Sequence, residues 1–375
     1  MPVSQPDILL VGGGVIGLTT ALKLAEQGVS VTVVDRQRTG QEASWAGAGM
    51  LPPGKNPGPH SLATDADRER YLRTTSNRLW AGLSEQLLDQ TGIDNGFRRC
   101  GGLEVGSTER LTELLETYHT EEIRSELIED RVGIERHVPG LATDIHRAVW
   151  LAEFCQVRNP RHLKALRAAA QLHGAEIVED VSDLRLRIQR DCVRAESDTR
   201  TFTADRICLT AGAWTSRLLE GLSVSLPVRP IRGQMLQLRS PQLPFRCVIE
   251  HGSRYLVPRP DGLILAGSTE EDTGFEKQTT SAGIRGLLAF AASLVPELAE
   301  AEVVRQWAGL RPGSPAGLPY LGRITAFDNL FVGAGHFRSG LQMSPATAEL
   351  LTQVLLGHKT ANADAFCPPE AVRTV

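Results

Sequence analysis

The sequence predicts an α/β fold: a doubly wound domain, discontinuous along the chain, with an antiparallel-sheet domain inserted into it. Three observations predict this. The apolar run Ile8-Leu9-Leu10-Val11 enters Gly12-Gly13-Gly14-Val15-Ile16-Gly17, a helical pattern follows, and Val31-Thr32-Val33-Val34 ends in Asp35. Strand-then-small-residue signals recur at Leu209-Thr210-Ala211-Gly212-Ala213-Trp214 and at Leu330-Phe331-Val332-Gly333-Ala334-Gly335. From Val228 onward, alternating and hairpin patterns replace the βα rhythm.

The first unit is a Rossmann-type βαβ, a structure that holds a dinucleotide. Gly12 permits the tight turn out of the strand, Gly14 lets backbone approach a pyrophosphate, and Gly17 lets the helix pack on the sheet. Val15 and Ile16 open that helix, whose free N–H groups and partial positive charge face the phosphates. Asp35 stands where a carboxylate accepts hydrogen bonds from a ribose diol, and it disfavours a 2′-phosphate. The unit alone leaves FAD and NAD open, because both carry an ADP half.

Composition describes an ordinary globular protein. The chain has 375 residues, 41% hydrophobic and 22% charged, with a net charge of -4. That charge gives no electrostatic case for nucleic acid or for an acidic membrane. The six cysteines are scattered and form no Cys-x-x-Cys pair, which reads as free, buried thiols in a reducing compartment and as no metal site. Residues 8–25 are apolar, but the glycine spacing explains them better than a signal peptide or membrane span does. A cytoplasmic location is expected.

Along the chain, residues 42–51 are small and run beside the dinucleotide unit. Residues 52–60 are rich in Pro and Gly, forming either a cover over a site or a surface connection. A helical pattern spans 65–90, and 103–105 reads as a short strand. Residues 111–122 read as a charged amphipathic helix. Asn159 and Pro160 read as the cap and first residue of a helix that ends at Gly174. Residues 175–178, 184–188 and 206–210 read as strands. Tyr255-Leu256-Val257-Pro258 and Leu263-Ile264-Leu265-Ala266 flank the turn signal Asp261-Gly262. Helices follow at 281–294 and from about 344 to 356.

These segments bring a family into view. The chain resembles the D-amino-acid oxidase and sarcosine oxidase group of flavoproteins, most closely its glycine oxidases of thiamine biosynthesis, over nearly its whole length. The resemblance rests on Ala-Gly-Met-Leu (48–51), Pro-Val-Arg-Pro-Ile-Arg-Gly-Gln-Met (227–235), Tyr-Leu-Val-Pro-Arg (255–259), Trp-Ala-Gly-Leu-Arg-Pro (307–312) and Gly-His-Phe-Arg-x-Gly (335–340). It implies FAD. Val15, Ile16, Asp35 and Arg36 would then surround the adenosine and pyrophosphate. Ala43, Ser44, Ala48, Gly49 and Met50 would lie along the flavin, with Met50 also near the substrate. Asp183 would touch FAD through its backbone. His336, Phe337, Arg338, Ser339, Gly340, Leu341 and Gln342 would wrap the isoalloxazine end.

On the substrate side, Arg311 resembles the family's carboxylate-binding arginine, a role that suits a planar guanidinium. Tyr255 resembles the tyrosine that donates to the same carboxylate, and Arg338 a second substrate-side arginine. Glu270 replaces an apolar pocket residue of some relatives; it either pairs with the substrate ammonium or turns outward. Ser253 stands where some relatives carry histidine. No side chain is required as acid or base, so His336 reads as a flavin-shell residue and His251 as incidental. No cysteine matches the covalent flavin position of sarcosine oxidases, so FAD would be non-covalent.

The resemblance implies oxidation of glycine and other small amino acids, with O2 as acceptor and hydrogen peroxide as product. It also implies a link to the thiazole synthase machinery and a homo-oligomer. A sarcosine or D-amino-acid oxidase, a dehydrogenase of the same fold, and a non-catalytic dinucleotide-binding module are the rival readings. The Rossmann-type FAD-binding domain would comprise 1–85, 145–220 and 318–375, and the antiparallel-sheet substrate domain 86–144 and 221–317.

Overall fold

A computed structural model describes residues 6–54, 62–188, 193–240, 242 and 245–369. Its first frame is a six-stranded sheet in the order Tyr320–Arg323, Leu330–Ala334, Arg206–Leu209, Ile8–Val11, Val31–Val34, Glu176–Val178. All neighbours are parallel except the first pair. Ile8–Val11 is central and buried at every position, as a strand covered on both faces must be. On one face Leu18, Leu22, Leu166 and Leu351 bring helices Val15–Glu26, Asn159–Leu172 and Ser344–Leu355 against Ile8, Leu10 and Val33. On the other, Leu9, Val11 and Ile207 pack under an antiparallel meander, Arg185–Ile188, Val193–Glu196 and Thr201–Ala204. The last two meander strands are polar and short, so their sequence carries no strand signal.

The second frame is an eight-stranded sheet in the order Glu302–Gly313, Arg229–Arg239, Leu263–Gly267, Arg254–Pro258, Val248–His251, Gly102–Val105, Ala148–Leu151, Glu126–Ile128. It is antiparallel except where Val248–His251 runs parallel to Gly102–Val105. Helix Ser281–Leu294 covers one face, with Leu287 and Ala291 on Ile249, Leu256 and Ile264. The opposite face looks toward the ends of the six-stranded sheet.

Several expected boundaries shift. Ala148–Leu151 pairs with Gly102–Val105 and Glu126–Ile128, so a boundary at 145 cuts into the eight-stranded sheet. The boundary at 85 falls inside one uninterrupted helix, Asp65–Thr91, which a Thr64–Asp67 capping box opens and left-handed Gly92 closes. Asn159 is not the cap of its helix; Arg158 holds that position, and the Asn159 amide donates instead to the Ser44 carbonyl at 2.7 Å. The possible cover at 52–60 lies mostly outside the described residues, as does Cys192. Of the other cysteines all are free. Cys208 and Cys247 are buried, Cys100 and Cys155 are half-buried, and Cys367 is exposed, so burial holds for only part of the set. Among the described residues no helix is long and apolar enough to cross a membrane, and no group of three or more His, Cys, Asp or Glu is arranged to hold a metal ion.

Candidate active site

A cavity of about 640 Å³ runs from the glycine turn, along the 43–50 segment, to the open face of the eight-stranded sheet. Gly12 forms its floor with φ +113, and a Cβ there would stand 2.5 Å from the Thr210 carbonyl oxygen. Helix Val15–Glu26 points its N-terminus into the cavity. Its cap, Gly14, supplies no side-chain hydrogen bond, and no acid occupies the first turn. The Ser44 hydroxyl accepts from the Val15 N–H at 2.9 Å. A helix start with no side-chain cap from its own N-cap residue and no acid in its first turn favours an anion. Asp35 lines the same end; its carboxylate accepts from the Gly13 N–H at 2.7 Å and the Gln37 N–H at 3.0 Å. Burial raises its pKa while those two N–H groups oppose the rise.

Arg36 lies over the Trp214 ring at 3.7 Å and pairs with Glu42 at 2.6 Å, which closes this end of the cavity with a flat, cationic wall. Ala211 and Gly212, from the small-residue turn after strand Arg206–Leu209, line this wall too. Asp183 sits on the rim, exposed and left-handed at φ +55. Gly17 does not line the cavity. It is a packing residue, because any Cβ there would collide with the Gly12 carbonyl.

Ala43, Ser44, Ala48, Gly49 and Met50 line the middle of the cavity. Gly49 has φ +73, and its missing Cβ admits the Val157 carbonyl. The segment is fixed by a residue to which sequence reasoning gave no role. Buried Arg259 donates to the Ala48 carbonyl at 2.7 Å, the Gln156 Oε1 at 2.6 Å and the Val157 carbonyl at 3.1 Å. Burial lowers its pKa to about 10, so it stays cationic at neutral pH. The Asn159 Oδ1 is buried in this wall with no hydrogen-bond partner among the described residues.

At the far end, Arg311 crosses the sheet and donates to the Thr269 carbonyl at 3.1 Å and the Ser268 hydroxyl at 2.5 Å. It reaches there because Gly233, on the facing strand, has no Cβ to obstruct the guanidinium. Burial pulls its pKa down, and nearby Tyr255 and Glu270 pull it back up. The Tyr255 hydroxyl donates to the Met235 Sδ at 3.4 Å. Arg338 donates to the Ser253 carbonyl at 2.9 Å and pairs with Glu270 at 3.6 Å. Glu270 does not line the cavity. It is exposed and turned outward to Arg338, the second of the two places left open for it and not the one against the substrate.

The 336–342 segment closes the cavity over the six-stranded sheet. His336 is buried, with its Nε2 3.1 Å from the Thr347 hydroxyl, and burial pushes its pKa down to about 3. It is therefore neutral across the working range. Phe337, Arg338, Ser339, Gly340, Leu341 and Gln342 all line the wall. The Gln342 amide donates to the Pro52 carbonyl at 2.9 Å, and its own carbonyl accepts from the Trp80 indole. Glu250 also lines the cavity without a counterpart in the sequence reading, and only strand register brings it there. His251 points away, exposed and stacked toward Phe290.

The donor set fits an extended dinucleotide. It combines a glycine turn, a helix N-terminus, an aromatic–arginine wall and a long cavity, beside the Asn159 amide oxygen as an acceptor. Comparison with known proteins agrees. A glycine oxidase of Pseudomonas aeruginosa is 39% identical over 358 residues, covering 94% of this chain and 95% of that one. A bifunctional ThiO/ThiG protein of Synechocystis is 35% identical over 98% of this chain, which spans 54% of that longer protein. The crystal structure of glycine oxidase from Geobacillus kaustophilus superposes with a TM-score of 0.87 at 29% identity, covering 96% of each chain. Residues 7–354 match the family described as FAD dependent oxidoreductase. The chain belongs to this DAO family of FAD-dependent oxidoreductases.

Proposed function

We propose that the protein is a glycine oxidase. In this reaction glycine, water and O2 become glyoxylate, ammonia and hydrogen peroxide. The observation that carries the reading is the paired donor set at the sheet end of the cavity. Arg311 keeps donors beyond those given to Thr269 and Ser268, and Tyr255 offers its hydroxyl beside them. A guanidinium and a phenol together hold a carboxylate in one orientation. Between that anchor and the 43–50 segment the walls are small and apolar, which suits a small α-carbon. When bound, FAD accepts the two electrons from the amino acid and returns them to O2. The chain's part is to orient the substrate and exclude water. Its buried His336 is uncharged and engaged with Thr347, so it is a poor proton acceptor.

The glycine oxidases among the relatives support the substrate, and the two-part ThiO/ThiG proteins support delivery of the product imine to thiazole formation. A cytoplasmic homo-oligomer with non-covalent FAD completes the reading. The test is direct. Purified protein with FAD should bleach on anaerobic addition of glycine and, in air, release one hydrogen peroxide per glyoxylate. A flavin that glycine leaves oxidised would sink the proposal.

A further inference from the structure

The open face of the eight-stranded sheet carries one row of side chains that the glycine reaction does not use in full. Register places Glu104, Glu250, Tyr255, Gly267, Met235 and Trp307 opposite one another on successive strands. Residues one step along the strands, such as Leu103, Ile249 and Leu256, face the helix on the other side. The cavity row is therefore apolar at one end and holds two neighbouring carboxylates at the other. Like charges directly opposite on adjacent strands repel. Glu104 has relief, because the Tyr118 hydroxyl donates to it from helix Thr108–Thr120. Glu250 has none: among the described residues no hydrogen bond or ion pair reaches its carboxylate, and it lines the cavity. The nearest cation, Arg338, is committed to Ser253 and Glu270.

Such a carboxylate is costly unless something cationic comes to it. Three strand positions separate Glu250 from Met235, against which the Tyr255 hydroxyl rests, or roughly 14 Å between Cα atoms. Side chains reaching in from both ends shorten this to the length of an amino acid with several methylenes. Glycine cannot span it. We infer that Glu250 determines specificity at the far end of the substrate cavity, selecting amino acids whose side chain ends in an amine over apolar ones of equal length. The inference rests on the carboxylate being held at Arg311 and Tyr255, as in the oxidase reading. Burial and the Glu104 charge raise the Glu250 pKa above the usual carboxylate range, opposed by Arg338. Selection should therefore strengthen as pH rises through that raised value.

The test uses holoenzyme and two ligands that have no α-amine to oxidise, 5-aminopentanoate and pentanoate, titrated by the change in flavin absorbance from pH 6 to 9.5. In the wild type, affinity for the amine relative to pentanoate should rise with pH. Glu250→Gln should lower that ratio at least about tenfold at high pH and flatten its pH dependence. Glu104→Gln keeps an acceptor for Tyr118 but removes the neighbouring charge, so the rise should move to lower pH. A merely structural pair would not produce that shift. Equal ratios in wild type and Glu250→Gln, a parallel loss of both ligands, or no shift in Glu104→Gln would overturn the inference. Glycine turnover, measured separately, decides the oxidase reading, since binding of these ligands does not require it.

Discussion

At the residue scale, the proposed carboxylate anchor depends on an atom that is missing. Arg311 lies flat because Gly233, diagonal to it on the neighbouring strand, has no Cβ, and the group a Cβ would displace is the tip of a flexible side chain. Gly233 has no left-handed φ, so alanine is tolerated by the backbone. Gly233→Ala should therefore fold and bind FAD, but it should shift the guanidinium away from Tyr255. Losing one charge-assisted hydrogen bond to the substrate carboxylate costs about 1.5–3 kcal/mol, roughly a 10- to 100-fold rise in the KM for glycine. Steady-state kinetics and a thermal melt of the same preparation check this. An unchanged KM would show that Arg311 does not hold the carboxylate; a collapsed melt would show that Gly233 serves the fold.

At the scale of elements, the cavity is assembled where distant segments are tied together. The glycine unit was legible because its strand, turn, helix and acid all lie within residues 8–35, although the carbonyl that excludes a Cβ from Gly12 comes from distant Thr210. Family motifs placed Arg311 and residues 336–342, and these line the same cavity. Other features were not legible, for a physical reason. Arg259 joins 48, 156 and 157 through one guanidinium, and no pattern of spacing reports a contact between segments that far apart. Glu250 reads as one acid in an apolar strand until register sets it beside Glu104 and Tyr255. The choice between the two places for Glu270 stayed open because a motif position fixes a backbone site and not the rotamer above it. The Arg259 clamp gives the prediction at this scale. Arg259→Met leaves two carbonyls and an amide oxygen without their donor, and breaking a buried charged network costs about 3–5 kcal/mol. The apoprotein should melt lower. FAD should also dissociate more readily, because Ala48 loses its side-chain tie while only the backbone pairing of Met50 and Leu51 with Gln156 and Cys155 and the Val157 N–H bond to Gly49 remain. Fluorescence of released flavin and paired apo and holo melts would measure both. A drop in stability with FAD affinity intact would make Arg259 a core residue only.

At the scale of the whole molecule, two buried imidazoles set the response to acid. His162 is fully buried beneath Trp80, with its Nδ1 3.2 Å from the Asn95 amide and its Nε2 unpartnered. His336 is buried at the cavity wall against Thr347. Burial pushes each pKa down to about 3. In the unfolded chain a histidine titrates near ~6.5. Between those values the unfolded state binds protons that the folded state refuses, so stability is intact above pH ~6.5 and falls as pH drops toward 3, by about 1.4 kcal/mol per pH unit for each imidazole. The two sit in different parts of the core, one under the long helix Asp65–Thr91 and one beside the start of Ser344–Leu355, so their effects should add. His162→Gln keeps an acceptor for Asn95 and removes the titration. It should melt below the wild type at pH 7.5, where the loss is one of packing against Trp80. The gap should then narrow as pH falls from 6.5 to 4.5, because only the wild type still loses stability through this site. Parallel melting curves across that range would mean that His162 is already protonated in the folded state, and that the cluster around Trp80 and Asn95 accommodates a cation.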